Sequence, residues 1–121
     1  MIQEVLVAVY GSLRKGMGNH RVLERNDAQL LSTERVKGFK MFSLGAYPFI
    51  CHGDGEITIE VYSVPITGMV DLDRLEGYPS FYDREMIETS KGKAWVYFID
   101  DRDGRVPVPD GDWVAFYGKR Y

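Results

Sequence analysis

The stretch Tyr10-Gly11-Ser12-Leu13-Arg14 follows directly on the apolar run Val5-Leu6-Val7-Ala8-Val9. The apolar run predicts a buried strand, which we place from Glu4 to Tyr10. Glycine lets a ligand approach the main chain closely, so backbone N–H groups after this strand could bind a carboxylate, a phosphate or a developing oxyanion. A glycine after a strand also marks an ordinary turn. The stretch by itself is compatible with both interpretations.

The composition is that of one ordinary globular domain. The chain has 121 residues, of which 45% are hydrophobic, and we expect a single domain over 1–121. The net charge of −3, with acids and bases interspersed, gives no footprint for nucleic acid or an anionic membrane. The lone Cys51 argues against a disulfide scaffold. With no signal-like start and no apolar segment near ~18 residues, we expect a cytoplasmic protein.

A second informative stretch is Leu72-Asp73-Arg74-Leu75-Glu76-Gly77-Tyr78-Pro79. It ends a helix that the spacing predicts over 67–77, because Met69, Leu72 and Leu75 recur on one face. Gly77 is well placed as the residue that ends the helix, and Pro79 prevents its continuation.

The remaining elements indicate an α+β fold. Asn19 is a candidate cap for a short helix to Arg25. Residues 100–104 are predicted to form a turn. The other predicted elements are an extended segment at 29–44, a loop at 45–48, a turn at 52–55, and strands at 56–64, 81–89, 93–99 and 113–117. Five to seven strands with one or two short helices favour a curved or partly closed sheet.

Glu76 is the main candidate for chemistry. It lies in the last turn of the predicted helix, where the helix dipole disfavours a negative charge. The dipole and any desolvation raise a carboxyl pKa, which suits a general base working near neutral pH. The alternative is an ordinary solvated glutamate at a helix end.

Other polar residues carry weaker signals. Tyr10, Tyr78 and Tyr82 could each pack a ring and offer a hydroxyl to a ligand. Arg84 could bind a substrate carboxylate, although a charge on the surface of a strand is the simpler interpretation. The remaining candidates are most simply structural: His20 on a helix surface, His52 in a turn, Cys51 as a small apolar residue, Ser12 without a nucleophile motif and the Asp101–Gly104 run as a hairpin turn. We therefore predict no metal site.

Several motifs occur together in a fixed order along nearly the whole chain. They are Tyr10-Gly11-Ser12-Leu13-Arg14, Asn19-His20, Gly45-x-Tyr47-Pro48, Glu60-x-Tyr62-x-Val64, Leu72-Asp73-x-Leu75-Glu76-Gly77-Tyr78 and Tyr82-x-Arg84. This combination resembles the γ-glutamylcyclotransferase-like family, including its avirulence-induced-gene-like and γ-glutamylamine cyclotransferase branches. One departure is Ile59, where the family often has a glycine.

The resemblance implies a small mixed β-barrel flanked by short helices, and an enzyme that needs no cofactor. Family members release 5-oxoproline and a free amine from γ-glutamyl amino acids or γ-glutamylamines, a transferase or lyase reaction on a small molecule. Carried over by motif, Glu76 is the general acid/base. Tyr10, Gly11, Ser12 and Leu13 form the substrate-binding loop, and Tyr82 helps to shape the pocket.

The expected chemistry agrees with these residues. The α-amine of the substrate attacks its own γ-carbonyl, so one carboxylate and one set of backbone donors are enough. Two alternatives remain open: a non-catalytic module that binds a small ligand on the same fold, and a hydrolase or transferase of a different amide. The sequence is compatible with several leaving amines and with more than one oligomeric state.

Overall fold

The computed structural model describes residues 3–100 and 106–120, the last two by their backbone only. In this range six strands and three α-helices follow one another. They are β1 (Glu4–Val9), α1 (His20–Arg25), β2 (Gln29–Ser43), β3 (Pro48–Pro65), α2 (Met69–Glu76), β4 (Asp83–Thr89), β5 (Gly92–Phe98), β6 (Val106–Pro107) and α3 (Trp113–Arg120). A turn of 3-10 helix, Ile66–Gly68, leads into α2.

The strands form one mixed sheet in the order β4-β5-β1-β3-β2-β6. The β1–β5 pair is parallel and every other pair is antiparallel. The sheet is curled, so that the end of β5 meets the start of β3. The N–H of Ile99, just after β5, donates to the Ile50 carbonyl of β3 at 2.9 Å. On β2, the Glu34 carboxylate accepts hydrogen bonds from Ser90 in the β4–β5 turn. The result is a curled half-barrel with short helices, which confirms the expected fold class.

Both faces of the central part of the sheet are buried. One face packs against α1 and α2, and the other packs against Trp113 of α3. The alternation predicted for 56–64 is present, with Ile57 and Ile59 on one face and Tyr62 and Val64 on the other. Because helices cover both faces here, the polar residues Thr58, Glu60 and Ser63 of this strand are buried as well.

The predicted helix at 67–77 is confirmed as the 3-10 turn followed by α2. It ends at Gly77, whose φ of 64° lies in the left-handed region. Met69 and Leu72 are buried as expected, whereas Leu75 is 40% exposed. The peptide bond between Tyr78 and Pro79 is cis.

The strand predicted at 113–117 is wrong, because this segment is helix α3. Its Trp, Val, Phe and Tyr side chains favour strands on local propensity. The Asp112 carboxylate, however, accepts the N–H of Ala115, and Trp113 is completely buried against the sheet. Helix capping and tertiary packing therefore outweigh the local preference.

The turn predicted at 52–55 is also wrong, because β3 continues through it. Lys37 faces Glu56 and Phe39 faces His52, so the extra residues of β3 form a bulge. The chain turns instead at the predicted 45–48 loop, where the Leu44 N–H donates to the Tyr47 carbonyl at 2.8 Å. The predicted turn after Asp100 lies outside the described residues.

Candidate active site

A cavity of about 280 Å³ opens between the loop after β1 and the C-terminal end of α2. All six residues predicted for the site line this cavity, although they come from three separate parts of the sequence. They are Tyr10, Gly11, Ser12, Leu13, Glu76 and Tyr82. The fold thus brings the glycine-containing loop and the candidate carboxylate into one small space.

Glu76 is the last residue of α2 and is only partly exposed. Among the residues that the structure describes, none forms a hydrogen bond or ion pair with its carboxylate. Burial raises the pKa of this carboxyl to about 7. The direction agrees with the expectation from sequence, and desolvation is its cause. A carboxyl with this pKa can both accept and donate a proton near neutral pH.

The loop after β1 supplies backbone donors beside Glu76. Among the hydrogen bonds of the described residues, none has the N–H of Ser12 or Leu13 as its donor. Gly11 is needed because the ring of Pro48 packs against it. A Cβ at Gly11 would lie 2.8 Å from two ring carbons of Pro48. The loop therefore combines a close backbone contact with donors available to a ligand.

A buried ion pair anchors this loop from the side of β3. The Arg14 Nε donates to the Glu60 carboxylate at 2.8 Å, and a second guanidinium nitrogen donates to Asp112 at 2.8 Å. The other oxygen of Glu60 accepts the Tyr62 hydroxyl at 2.8 Å and the Lys15 N–H at 2.9 Å. These bonds fix the end of the loop to the central strand.

The start of α1 holds the same loop through a second set of hydrogen bonds. The Asn19 side-chain amide donates to the Ser12 hydroxyl oxygen at 2.9 Å, and the Asn19 N–H donates to the Ser12 carbonyl at 2.9 Å. Asn19 occupies the cap position, but its side chain does not cap the helix. The His20 Nδ1 lies 2.9 Å from the Leu13 carbonyl, to which it donates. Asn19 and His20 therefore have tertiary roles that the sequence analysis missed, and Asn19 also lines the cavity.

Tyrosine rings form the walls of the cavity. The Tyr10 hydroxyl donates to the Tyr97 carbonyl at 2.8 Å, and the Tyr82 hydroxyl donates to the Pro48 carbonyl at 2.7 Å. Burial raises the pKa of Tyr10 well above its ordinary value. The Tyr10 phenol is therefore neutral, and the main chain fixes both hydroxyls, which makes these residues better suited to shaping the cavity than to transferring protons.

Arg84 occupies neither of the environments considered from sequence. Its guanidinium lies 4.3 Å from the ring centres of both Tyr78 and Trp95. The Arg84 Nε is 3.1 Å from the Asp73 carboxylate, which also accepts the Tyr97 hydroxyl. Arg84 and Tyr78 do not line the cavity. This cation holds the last turn of α2, and hence Glu76, against β4 and β5.

His52 lies outside the cavity, on β3 rather than in a turn. Its ring contacts the carboxylates of Asp100 and Glu85. Within the described ranges, no group of three or more His, Cys, Asp or Glu side chains is arranged to hold a metal ion. None of the helices described is both long enough and apolar enough to span a membrane.

The chain is similar to known proteins over most of its length. Residues 7–115 match the family described as "Gamma-glutamyl cyclotransferase, AIG2-like". The γ-glutamylcyclotransferase family protein YtfP of Escherichia coli K12 is 35% identical over 109 residues, covering 89% of this chain and 95% of that protein.

Solved structures have the same fold. The solution structure of ytfP from Escherichia coli has a TM-score of 0.76 and 34% identity, covering 93% of this chain and 99% of that one. The crystal structure of an uncharacterized Pyrococcus horikoshii protein has a TM-score of 0.84 and 25% identity, covering 96% and 95% of the two chains.

Proposed function

The chain belongs to the γ-glutamylcyclotransferase family, and we propose that it releases 5-oxoproline and a free amine from a small γ-glutamyl compound. The observation that carries this proposal is the Glu76 carboxylate, whose pKa burial raises to about 7, in one cavity with the N–H groups of Ser12 and Leu13. Within the described part of the chain, none of these three groups has a hydrogen-bond partner.

The loop would serve as the electrostatic partner of the reacting carbonyl. When the α-amine adds to the γ-carbonyl carbon, the carbonyl oxygen becomes an oxyanion. Backbone N–H groups that are already fixed in place stabilise such a charge without reorganisation. Because hydrogen bonds from both Arg14 and Asn19 hold the loop, the donors of Ser12 and Leu13 are fixed in this sense.

Glu76 would carry the protons. Its carboxylate takes one proton from the α-ammonium group, and the freed amine forms the new C–N bond. The protonated carboxyl then gives a proton to the leaving nitrogen, and the original C–N bond breaks. The second proton lost by the α-nitrogen as the lactam forms ends on the released amine, which is a cation at neutral pH.

The size of the cavity supports an intramolecular reaction. A space of about 280 Å³ lies just below the usual range for small-molecule pockets. Folding the glutamyl chain so that its amine meets its own γ-carbonyl is an entropic task, and a tight apolar wall accomplishes it without a nucleophile from the protein. The rings of Tyr10 and Tyr82 supply that wall.

The deciding experiment measures 5-oxoproline released from a panel of γ-glutamyl amino acids and γ-glutamylamines. We expect release by the unchanged protein and loss of at least about a thousandfold in Glu76→Gln, which keeps the shape but not the proton transfer. Glu88→Gln, an exposed glutamate of β4, is the matched control and should retain full activity.

Two further outcomes separate the alternatives. An α-N-acetylated substrate has no free α-amine to cyclise, so release of N-acetylglutamate and the free amine from it would indicate a hydrolase instead. Binding of the panel without any release of product would indicate a ligand-binding module.

A further inference from the structure

The opening of the cavity differs in character from its inner part. Of the residues that line it, three are exposed, and all three are large and apolar: Tyr47 (41%), Leu75 (40%) and Phe81 (40%). The others are buried or partly buried. The exposed apolar side chains therefore surround the opening, and the loop donors lie further inside. Exposed apolar clusters at a cavity are typical of binding surfaces.

This apolar rim is fixed relative to Glu76. The Phe81 N–H donates to the carbonyl of Gly77, the residue after Glu76, at 2.7 Å. The Phe81 ring packs edge-on against Tyr82 at 5.0 Å and against Tyr47 at 6.5 Å between ring centres. Leu75 directly precedes Glu76 in α2. Part of the rim is thus built on the same short segment as the candidate carboxylate.

The direction of the substrate follows from the proposed function, on which this inference rests. If the loop donors bind the γ-carbonyl oxygen and Glu76 protonates the leaving nitrogen, the glutamyl half occupies the inner part. The remainder of the leaving amine must then pass the rim toward solvent. Its first few carbon atoms contact Tyr47, Leu75 and Phe81.

We propose that this rim is a subsite for the leaving amine, and that it selects amines with an apolar alkyl or aryl body over amines that carry a carboxylate. Tyr47 and Phe81 are the residues that determine this specificity. An apolar group that leaves water for such a surface makes the free energy of binding more favourable, in proportion to the area it buries.

Charge favours the same choice. Among the described residues that line the cavity, no Lys, Arg or His is present, and Glu76 is the single acidic residue. A carboxylate on the leaving group would therefore find no cation on these walls. It would instead lie near a group that must itself become an anion, which is unfavourable at short range.

The test uses a matched pair of substrates, γ-glutamyl-n-butylamine and γ-glutamyl-4-aminobutyrate, which differ by a terminal methyl group against a carboxylate. We expect kcat/KM to be at least about tenfold higher for the butylamine compound. Tyr47→Ala and Phe81→Ala should each reduce this ratio by about threefold or more. Tyr47→Phe should preserve it, because the ring remains.

Val70→Ala is the control, because Val70 is an exposed apolar residue of α2 that does not line the cavity. It should leave both rates and their ratio unchanged. A ratio near one, or a ratio that neither alanine variant lowers in a protein with unchanged thermal unfolding, would overturn the subsite and leave the proposed function standing. Release of 5-oxoproline from the panel but from neither of these two compounds would overturn the subsite alone, whereas no release from any substrate would overturn both.

Discussion

The side-chain amide of Asn19 donates a hydrogen bond to the Ser12 hydroxyl oxygen at 2.9 Å, and both residues line the cavity that contains Glu76. Because the hydroxyl oxygen is the acceptor in this bond, the hydroxyl hydrogen of Ser12 is left to donate to a ligand. Asn19 is therefore a positioning residue that sets the direction of the Ser12 donor.

Reversing that bond should impair activity. In Asn19→Asp the side chain can only accept, so the Ser12 hydrogen turns toward the carboxylate and away from the substrate. We expect kcat/KM to fall by about tenfold, the value of one hydrogen bond to a charged group. Steady-state kinetics with the γ-glutamyl panel measures this change.

The matched test is a double-mutant cycle with Ser12→Ala. Once the hydroxyl is gone, Asn19→Asp should cost little more, so the two losses should not add. Additive losses would show that Asn19 acts on the substrate independently of Ser12.

The pH dependence of turnover should report Glu76. The pKa of its carboxyl is raised to about 7 by burial, so kcat/KM should rise with pH and level off above about 7. In the bound complex the α-ammonium of the substrate lies near Glu76 and favours the ionised carboxyl, which lowers its pKa. The acidic limb of the kcat profile should therefore lie at lower pH than the acidic limb of the kcat/KM profile. A rate profile without an acidic limb between about pH 5 and 8 would contradict the assignment of Glu76 as the base.

Glu76 should also destabilise the fold at high pH. Between the ordinary pKa of 4.5 and the raised value of about 7, the folded state binds more protons than the unfolded state, so the free energy of unfolding falls as pH rises. The full cost, present above about pH 7, is at most about 3 kcal/mol. Glu76→Gln should therefore raise Tm by roughly 5–10 °C at about pH 8 and by little at about pH 4. An equal effect at both pH values would indicate a packing change.

The sequence predicts the parts of the fold that depend on local patterns. The periodicity of Met69 and Leu72, the glycine at 77 and the alternation in β3 each determine structure within a few residues. The strand prediction for 113–117 is wrong because burial of this segment against the sheet decides its conformation. The turn prediction for 52–55 is wrong for a similar reason, since the bulge found there depends on the register with Lys37 and Phe39 in another strand.

The residues of the candidate site likewise divide into those that the sequence predicts and those that only the tertiary structure reveals. Glu76 and the loop from Tyr10 to Leu13 can be found from motifs, because each motif is continuous in the sequence. Asn19 also belongs to a motif, Asn19-His20, but the motif does not reveal its contact with Ser12, since a helix cap and this contact make the same demand on residue type. The environment of Arg84 depends on Trp95, which neighbours it only through strand pairing.

The buried pair of Arg14 and Glu60 should be costly to break. Glu60→Ala leaves the guanidinium without its main partner in the interior, and we expect the free energy of unfolding to fall by about 3–5 kcal/mol. Tyr62→Phe removes one hydrogen bond to Glu60 and should cost about 1 kcal/mol. Urea unfolding measures both.

The exposed ion pair between Arg35 and Glu56 provides the control for this comparison. Glu56→Ala should change stability only marginally, because water screens an exposed pair. If Glu60→Ala were as mild as Glu56→Ala, the buried bonds would not anchor the loop.

His52 should make the closure of the half-barrel depend on pH. It lies on β3 between Asp100, after β5, and Glu85 of β4, and its ring also contacts Phe39 and Phe98. The hydrogen bond to Asp100 is the main cause that raises the pKa of His52 above 6.5. The folded state therefore binds the proton more tightly than the unfolded state. The resulting stabilisation is complete below pH 6.5 and is lost as pH rises through the raised pKa.

His52→Gln should lower Tm at about pH 6 and have a smaller effect at about pH 9. Asp100→Asn should remove most of this pH dependence. A loss in His52→Gln that is constant with pH would assign the stabilisation to ring packing instead of charge.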